Sequence, residues 1–410
     1  MNRKQIKEIL NKTDMVRFSC TPEEKAAAEY LKSLCEERGV AAYLESFDVD
    51  MATINKAVLT ADGHEIPCKG YRLCGTGCVE APLCYLPNTN SAFLSKAKGK
   101  VVLLDTGISY WTYQDLLDAG AVGFITYDGD VHYADRDIDT KMLRPYVSKG
   151  RKVPCVNINA KDAFALVKAA PKMVCICVEQ TEGVEKSHNV IAEIPGTTDE
   201  WIVLTAHYDT TPLSHGLYDN MTGCIGLLGI LDALKAKTPL RYGLRFIFCG
   251  SEELGLLGSK AYTAAHEKEL DKVALNINLD MIGTYMGKFI ACVSAEDKLV
   301  HYIEYLAAQL GWGMNARQDV YSSDSTPFAD KGVPALSFAR LAPRSQATIH
   351  NRYDTKEILS PDQIMEDIGF MAEFTLNMAS AVNCPVSREI PDSVKTKLDE
   401  YLLRKRRKDN

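Results

Sequence analysis

Five side chains of the kinds that bind metal ions recur through the second half of this 410-residue chain, most of them at or just past the end of an apolar run. They are His207, Asp219, Glu253, Asp280 and His350. In open α/β sheets, ligands bind at the carboxyl ends of the strands, which meet at one edge. We therefore expect these five side chains to converge on one edge of a sheet.

The five side chains also carry the charge that a pair of zinc ions requires. Two such ions about 3.5–4 Å apart repel each other, and three carboxylates with a bridging hydroxide offset their positive charge. Two imidazoles complete the shell as neutral ligands, and one carboxylate is expected to bridge. A mixed nitrogen and oxygen set suits zinc, with cobalt or manganese as possible substitutes.

Two further acids lie beside these residues, and we assign them catalytic roles. Asp209 lies two positions after His207, so on a strand both point to one side and Asp209 could orient the imidazole. Glu252 and Glu253 are adjacent and cannot reach one ion in the same way. We expect Glu253 to bind metal and Glu252 to act as general base. The alternatives are a solvated loop acid for Asp209 and a surface acid pair at a helix start.

Other side chains are candidates for substrate contacts or for a competing ligand. Tyr321 could donate a hydrogen bond to a developing oxyanion. Arg340 and Arg344 could pair with a substrate carboxylate. His215 competes with His207 as a ligand, and we prefer His207 because it ends a strand.

The elements that must position these residues alternate between strand and helix patterns. Strands are predicted at 201–205, 244–249, 273–279 and 333–338, and helices at 222–236, 255–265, 295–310 and 360–381. This alternation predicts an α/β domain with a largely parallel sheet. Between them and the N-terminal helices, short apolar runs separated by Gly, Pro and Asn predict a β-rich insertion. The expected domains are 1–49 with 186–410, and 50–185.

Together these motifs resemble the M28 metallopeptidases, a zinc aminopeptidase family that also contains glutamate carboxypeptidases. The likeness includes segments 17–22 and 189–196, together with His207-x-Asp209, Asp219-Asn220-x-x-Gly223, Glu252-Glu253-x-Gly255, Leu279-Asp280-Met281 and His350 followed by Asp354-Thr355. The resemblance implies a mixed, largely parallel sheet flanked by helices, the zinc exopeptidase fold of the phosphorylase/hydrolase-like class. Ser325 stands where the family commonly has histidine, and Asn351-Arg352 replaces a Thr-Pro-like pair.

The resemblance also implies a role for each residue. Asp219 would bridge two zinc ions, with His207 and Asp280 completing one site and Glu253 and His350 the other. Glu252 would be the general base, and the peptide bond after Asp219 would be cis.

The insertion resembles a protease-associated (PA) domain. Segments 99–104, 119–123 and 153–156 carry this likeness. Such a domain would restrict access to the site and would contain no catalytic residue.

Composition excludes several other classes of protein. A net charge of −7 gives no footprint for nucleic acid, and the basic run at 404–408 is interpreted as a solvated tail. No apolar stretch is long enough to span a bilayer, and no secretory signal is visible. With thirteen cysteines and no signal, we predict reduced thiols and a cytoplasmic location. Four clustered cysteines, Cys68, Cys74, Cys78 and Cys84, lack the C-x2-C spacing of a zinc ribbon.

The predicted function is that of a metal-dependent exopeptidase, an aminopeptidase that removes N-terminal residues from peptides. Hydrolysis would use a hydroxide bound to two zinc ions, with Glu252 as general base. Three alternatives stay open: a carboxypeptidase or acidic-dipeptide hydrolase, a glutaminyl-cyclase-like acyltransferase that uses one zinc, and a binding module without activity. The peptide is the only partner predicted, without nucleic acid or membrane.

Overall fold

A computed structural model describes residues 1–105 and 107–406 of the chain. The chain divides into two compact units, one formed by Met1–Asp48 and the chain from Lys186 onward, the other by Val49–Glu185. The chain passes from one unit to the other within two long strands. Of the basic run at 404–408, residues 407 and 408 lie outside the described part.

The described residues form α-helices and β-strands in the following order. The helices are α1 Arg3–Lys12, α2 Pro22–Glu37, α3 Ser91–Leu94, α4 Tyr110–Asp118, α5 Pro145–Ser148, α6 Ala160–Ala169, α7 Thr222–Lys235, α8 Leu257–Ala265, α9 Asp297–Gln309, α10 Ser325–Asp330, α11 Pro361–Ser380 and α12 Asp392–Tyr401. The strands are β1 Ala42–Ala61, β2 His64–Ile66, β3 Lys69–Gly70, β4 Gly77–Ala81, β5 Leu83–Leu86, β6 Val101–Leu104, β7 Gly123–Asp128, β8 Cys155–Asn159, β9 Val174–Ile194, β10 Trp201–His207, β11 Gly243–Cys249, β12 Val273–Leu279, β13 Lys288–Ser294, β14 Asn315–Gln318 and β15 Ala335–Leu341.

The first unit contains a mixed sheet with the strand order β14-β13-β15-β12-β10-β11-β9. The four strands β11, β10, β12 and β15 are parallel to one another. Antiparallel neighbours flank them, β9 beside β11 and β13 beside β15. The predicted fold, a mixed and largely parallel sheet flanked by helices, is confirmed.

Both faces of this sheet are covered, which explains why its central strands are apolar throughout rather than alternating. All seven residues of β11 and of β12 are buried. The larger core lies between the sheet and the helices α7 and α11. An apolar stripe of α11 at helical spacing is buried in this core: Ile364, Ile368, Met371 and Phe374.

The second unit has its own five-stranded sheet with the order β3-β8-β7-β6-β5. Strands β5, β6, β7 and β8 are parallel, and β3 pairs with β8 in the antiparallel sense. Its core is separate from that of the first unit and contains residues from Leu59 to Val178.

One cysteine expectation is wrong. Cys78 on β4 and Cys177 on β9 face each other across an antiparallel pair of strands and form a disulfide. The sequence could not show this bond, because its partners are 99 residues apart and meet only through the strand register. The reduced thiols and the cytoplasmic location were predicted together from the cysteine count and the missing signal, and the disulfide contradicts the first of these.

None of the helices formed by the described residues combines the length and the apolar character that crossing a bilayer requires.

Candidate metal centre

The carboxyl ends of three neighbouring parallel strands bring the first candidate residues together. His207 is the last residue of β10 and lies in register with Cys249, the last residue of β11. Glu252 and Glu253 follow β11 after a short turn, and Asp280 follows the last residue of β12. Because β11, β10 and β12 are adjacent in this order, their ends meet at one edge of the sheet.

Asp219 reaches the same edge from the loop between β10 and α7. It lies in a turn, Leu217–Met221, that leads directly into α7. The peptide bond between Asp219 and Asn220 is cis, as the family resemblance predicted. Asn220 donates from its side-chain amide to the Leu279 carbonyl oxygen at 2.9 Å, which fixes the turn against the end of β12.

An inner group of potential ligands consists of His207, Asp219 and Asp280, all of them buried. The His207 Nε2 atom lies 3.1 Å from Asp219 Oδ1 and 3.7 Å from Asp280 Oδ1. Asp280 Oδ1 is buried and has no hydrogen-bond partner among the described residues. A buried carboxylate oxygen left in this way is a strong site for a cation.

An outer group consists of Asp219, Glu253 and His350. The His350 Nε2 atom lies 3.2 Å from Asp219 Oδ2 and 3.2 Å from Glu253 Oε2. The His350 side chain is 48% exposed, whereas that of His207 is 1% exposed. The two oxygens of Asp219 therefore face different histidines, which is the arrangement that a bridging carboxylate requires.

The electrostatics of the two groups fit bound cations. Burial acts to lower the pKa of His207, but Glu252, Asp209, Asp219 and Asp280 together raise it well above its ordinary value. Burial likewise opposes the raised pKa of His350, which Glu253 and Asp219 bring to about 11. The carboxylates thus hold protons on both histidines, and divalent cations would replace those protons. Each group offers one imidazole and two carboxylates, a donor set that fits zinc.

Glu252 lies beside the inner group rather than within it. Its Oε2 atom is 4.0 Å from His207 Nε2, and the residue is buried. Burial, with the nearby charge of Glu253, raises the pKa of Glu252 well above its ordinary value. A carboxylate that binds a proton more tightly than usual is suited to accept one from water.

Asp209 holds the backbone that carries the two glutamates. Its Oδ1 atom accepts a hydrogen bond from the Glu252 N–H at 2.8 Å, and its Oδ2 atom accepts one from the Glu253 N–H at 3.1 Å. It also lies beside His207, with Oδ1 3.6 Å from Nδ1, which is longer than a hydrogen bond. Asp209 was expected to orient the His207 imidazole, and the hydrogen bonds that it does make are to the backbone of the two glutamates.

Two buried residues support the Asp219 turn without a role assigned from the sequence. Asp354 accepts hydrogen bonds from the N–H groups of Tyr218, at 2.7 Å, and of Asp219, at 3.0 Å. Arg17 is fully buried and donates to five backbone carbonyl oxygens, including those of Tyr208 and Gly216 on either side of the loop. Both residues belong to motifs on which the family resemblance is based, and this was the only indication in the sequence that they contribute to the site.

Two of the remaining candidates are Tyr321, which is affected by the charges of the cluster, and Arg340, which is paired elsewhere in the protein. Burial, with the charges of Asp280 and Asp219, raises the pKa of the Tyr321 phenol well above its ordinary value. Arg340 donates from Nη2 and Nε, one edge of its guanidinium, to the two carboxylate oxygens of buried Asp367, at 2.6 and 2.9 Å, so its charge is already satisfied within the protein.

The other two side chains do not join the described ligand groups. Arg344 is exposed. His215 contacts Asp14 at 2.6 Å instead of the cluster, and its side chain is 42% exposed.

Comparison with known sequences identifies a matching family and similar proteins. Residues 189–374 match the model of peptidase family M28. Aminopeptidase YwaD of Bacillus subtilis is 30% identical over 293 residues, which cover 67% of this chain and 61% of that protein. The probable lipoprotein aminopeptidase LpqL of Mycobacterium tuberculosis is 26% identical over 297 residues, which cover 68% of this chain and 57% of that protein. The chain thus spans about three fifths of the length of these curated relatives.

Solved structures share the fold over nearly the full chain. BSAP, a zinc aminopeptidase from Bacillus subtilis, superposes with a TM-score of 0.76 at 24% identity, covering 95% of this chain and 99% of the other. An aminopeptidase from Aneurinibacillus sp. strain AM-1 gives a TM-score of 0.73 at 22% identity, and the superposition covers 94% of this chain and 96% of the other. The segment 189–374, which contains all five candidate ligands, thus belongs to peptidase family M28.

Proposed function

We propose that this protein is a metal-dependent aminopeptidase that uses two zinc ions, with cobalt or manganese as substitutes. The observation that carries the proposal is the pair of ligand groups that share Asp219, with Glu252 at the edge of the inner group. The curated relatives YwaD and LpqL and the solved structure BSAP are named as aminopeptidases, and BSAP as a zinc enzyme.

His207 and Asp280 would hold one ion and Glu253 and His350 the other, with Asp219 shared. When bound, two such ions polarise the scissile carbonyl and lower the pKa of water. Glu252 Oε2 takes the proton of the attacking water and later passes it to the leaving amine. Asp209 keeps Glu252 and Glu253 in their separate directions through the two backbone hydrogen bonds.

The side chains near the site favour the amino end of a peptide over the carboxyl end. A substrate carboxylate would need a free cationic side chain to pair with. The arginine that could have paired with a substrate carboxylate, Arg340, is committed to Asp367. Tyr321, close to Asp280 and Asp219, is the candidate donor to the oxyanion.

Blocked peptides test the choice of terminus. A peptide with a free amino end and an amidated carboxyl end is expected to be cleaved one residue at a time from its amino end. The same peptide with an acetylated amino end is expected to resist cleavage. Cleavage of an acetylated peptide that has a free carboxyl end, with no cleavage of the amidated peptide, would establish a carboxypeptidase. Cyclisation of N-terminal glutamine without hydrolysis would establish the acyltransferase.

The second unit is proposed to be a PA-like module without catalytic residues. Support comes from its separate core and its own parallel sheet of β5 to β8. The proposal predicts that replacing its buried polar side chains, such as Thr126 or Asn157, changes stability and leaves kcat of the folded enzyme unchanged.

A further inference from the structure

The turn that carries Glu252 and Glu253 is held by two carboxylates, of which Asp209 is only one. Three successive N–H groups of this turn donate to acids. Ser251 donates to Glu24 Oε1 at 3.2 Å, and the next two residues donate to Asp209 at 2.8 and 3.1 Å. The direction in which each glutamate leaves the backbone depends on these three bonds.

Ser251 has the least favourable backbone conformation in this turn. Its φ of 53° lies in the left-handed region, which side chains with a Cβ atom rarely adopt. The turn is also tightly packed, because a Cβ atom at the preceding Gly250 would come within 2.5 Å of the His188 carbonyl oxygen and 2.6 Å of Ser187 Oγ. Hydrogen bonds from both the N–H and the Oγ of Ser251 to Glu24 hold it in this conformation.

Glu24 has more contacts than a helix cap requires. Its position, three residues after the N-cap Thr21 of α2, is that of a capping-box glutamate, but its Oε2 atom accepts the N–H of Cys20, one residue before the N-cap, at 2.6 Å. Its Oε1 atom faces the other way and accepts Ser187 Oγ at 2.7 Å as well as both donors of Ser251. Glu24 is 1% exposed, and among the described residues no basic side chain forms an ion pair with it.

Burying a carboxylate without a counter-charge is costly, and a capping glutamate can do its work at the surface. The position of Glu24 therefore calls for a further role. We infer that Glu24 is a positioning residue for Glu252 and Glu253, acting through the backbone of Ser251. This inference rests on the proposed function, in which one glutamate moves the proton and the other binds metal, so that a small rotation of the turn misplaces both groups.

The principal test is Glu24→Met, which keeps the length of the side chain and removes both acceptors. We expect kcat to fall about tenfold to a hundredfold with KM changed less than about twofold, because the substrate still binds while Glu252 is misdirected. Glu24→Gln keeps one acceptor and is expected to give an intermediate kcat. It also serves as the test if Glu24→Met does not fold.

Two further variants separate positioning from general loosening of the helix. Thr21→Ala removes the hydrogen bond from the Glu24 N–H to Thr21 Oγ1 at the same helix start and leaves the contacts of Ser251 in place. It is expected to lower the melting temperature without lowering kcat. Ser251→Gly in the Glu24→Met background is expected to restore most of kcat, since glycine adopts a positive φ without help.

Zinc affinity, measured by competition with a chromophoric chelator, gives a readout that does not depend on turnover. Glu24→Met is expected to weaken one of two sites severalfold, the site that contains Glu253. If the wild type bound two ions and cleaved no peptide while this shift occurred, the proposed function would fail and the positioning role would stand. Wild-type kcat and wild-type zinc affinity in Glu24→Met would overturn the positioning role. A loss of kcat in Thr21→Ala as large as that in Glu24→Met would overturn it as well.

Discussion

The inner and outer ligand groups offer the same donors in different surroundings. Each has one imidazole and two carboxylates, and Asp219 belongs to both. His207 is 1% exposed at the end of a central strand, whereas His350 is 48% exposed and lies in a loop. The difference indicates a division of labour, in which the inner group is part of the folded core and the outer group meets solvent and substrate.

Replacing the shared ligand should break both groups at once and gives the largest expected effect. In Asp219→Ala, neither histidine keeps its bridging carboxylate, so we expect loss of both ions and no measurable hydrolysis. Elemental analysis beside a peptide assay checks this result. Retention of two ions in Asp219→Ala would show that the groups do not share a ligand.

Replacing the proposed base should leave both groups intact and remove the chemistry. We expect Glu252→Gln to keep its metal content and to lose about 10²–10⁴-fold in kcat, the range for general acid–base groups. Peptide hydrolysis measured at saturating zinc checks this. Hydrolysis at the wild-type rate would remove Glu252 from the mechanism.

The two histidines should differ in what they contribute to the metal-free fold. Removing buried His207 leaves carboxylates without their partner, so His207→Ala should lower the free energy of unfolding by about 3–5 kcal/mol. His350→Ala should cost less than about 1 kcal/mol, because half-exposed charges are screened by water. Denaturant unfolding with a chelator present measures both. Equal losses would contradict the division into inner and outer groups.

Zinc affinity should depend on pH through the protons that the ligands release. The pKa of His350 is raised to about 11, so its imidazole is protonated at neutral pH and must lose that proton to bind metal. Affinity should therefore rise with pH, by about one log unit per pH unit for each proton displaced. Chelator competition between pH 6 and 9 measures the slope, and a flat profile would show that neither histidine is a ligand.

Much of the first unit could be predicted from the sequence because its elements have strong local signals. The strand predicted at 273–279 is β12, and the helix predicted at 360–381 is α11. Ser360 is the N-cap of α11 and Pro361 its first residue, both of which are typical of a helix start. After the N-terminal helices the sequence also predicts a strand near 41–47, and this is only the first part of β1, which continues to Ala61. Strand β14, Asn315–Gln318, was missed because it is short and polar at an edge of the sheet.

The candidate site could be predicted only as far as strand ends and motifs allow. Those signals pointed to the five possible ligands, which the structure brings together in two groups. The roles of Glu24 and Asp354 could not be predicted, because each acts through backbone N–H groups that are distant in sequence. For Arg340, spacing alone suggested a substrate contact, whereas its ion pair with Asp367 depends on how β15 packs against α11.

The central claim is a pair of metal ions that share Asp219, and metal content tests it most directly. Elemental analysis of protein purified without chelator should give two zinc ions per chain, falling to one in His350→Ala, where the inner group is untouched. One ion in the wild type, unaffected by His350→Ala, would contradict the outer group. No bound metal in the wild type would contradict the account as a whole.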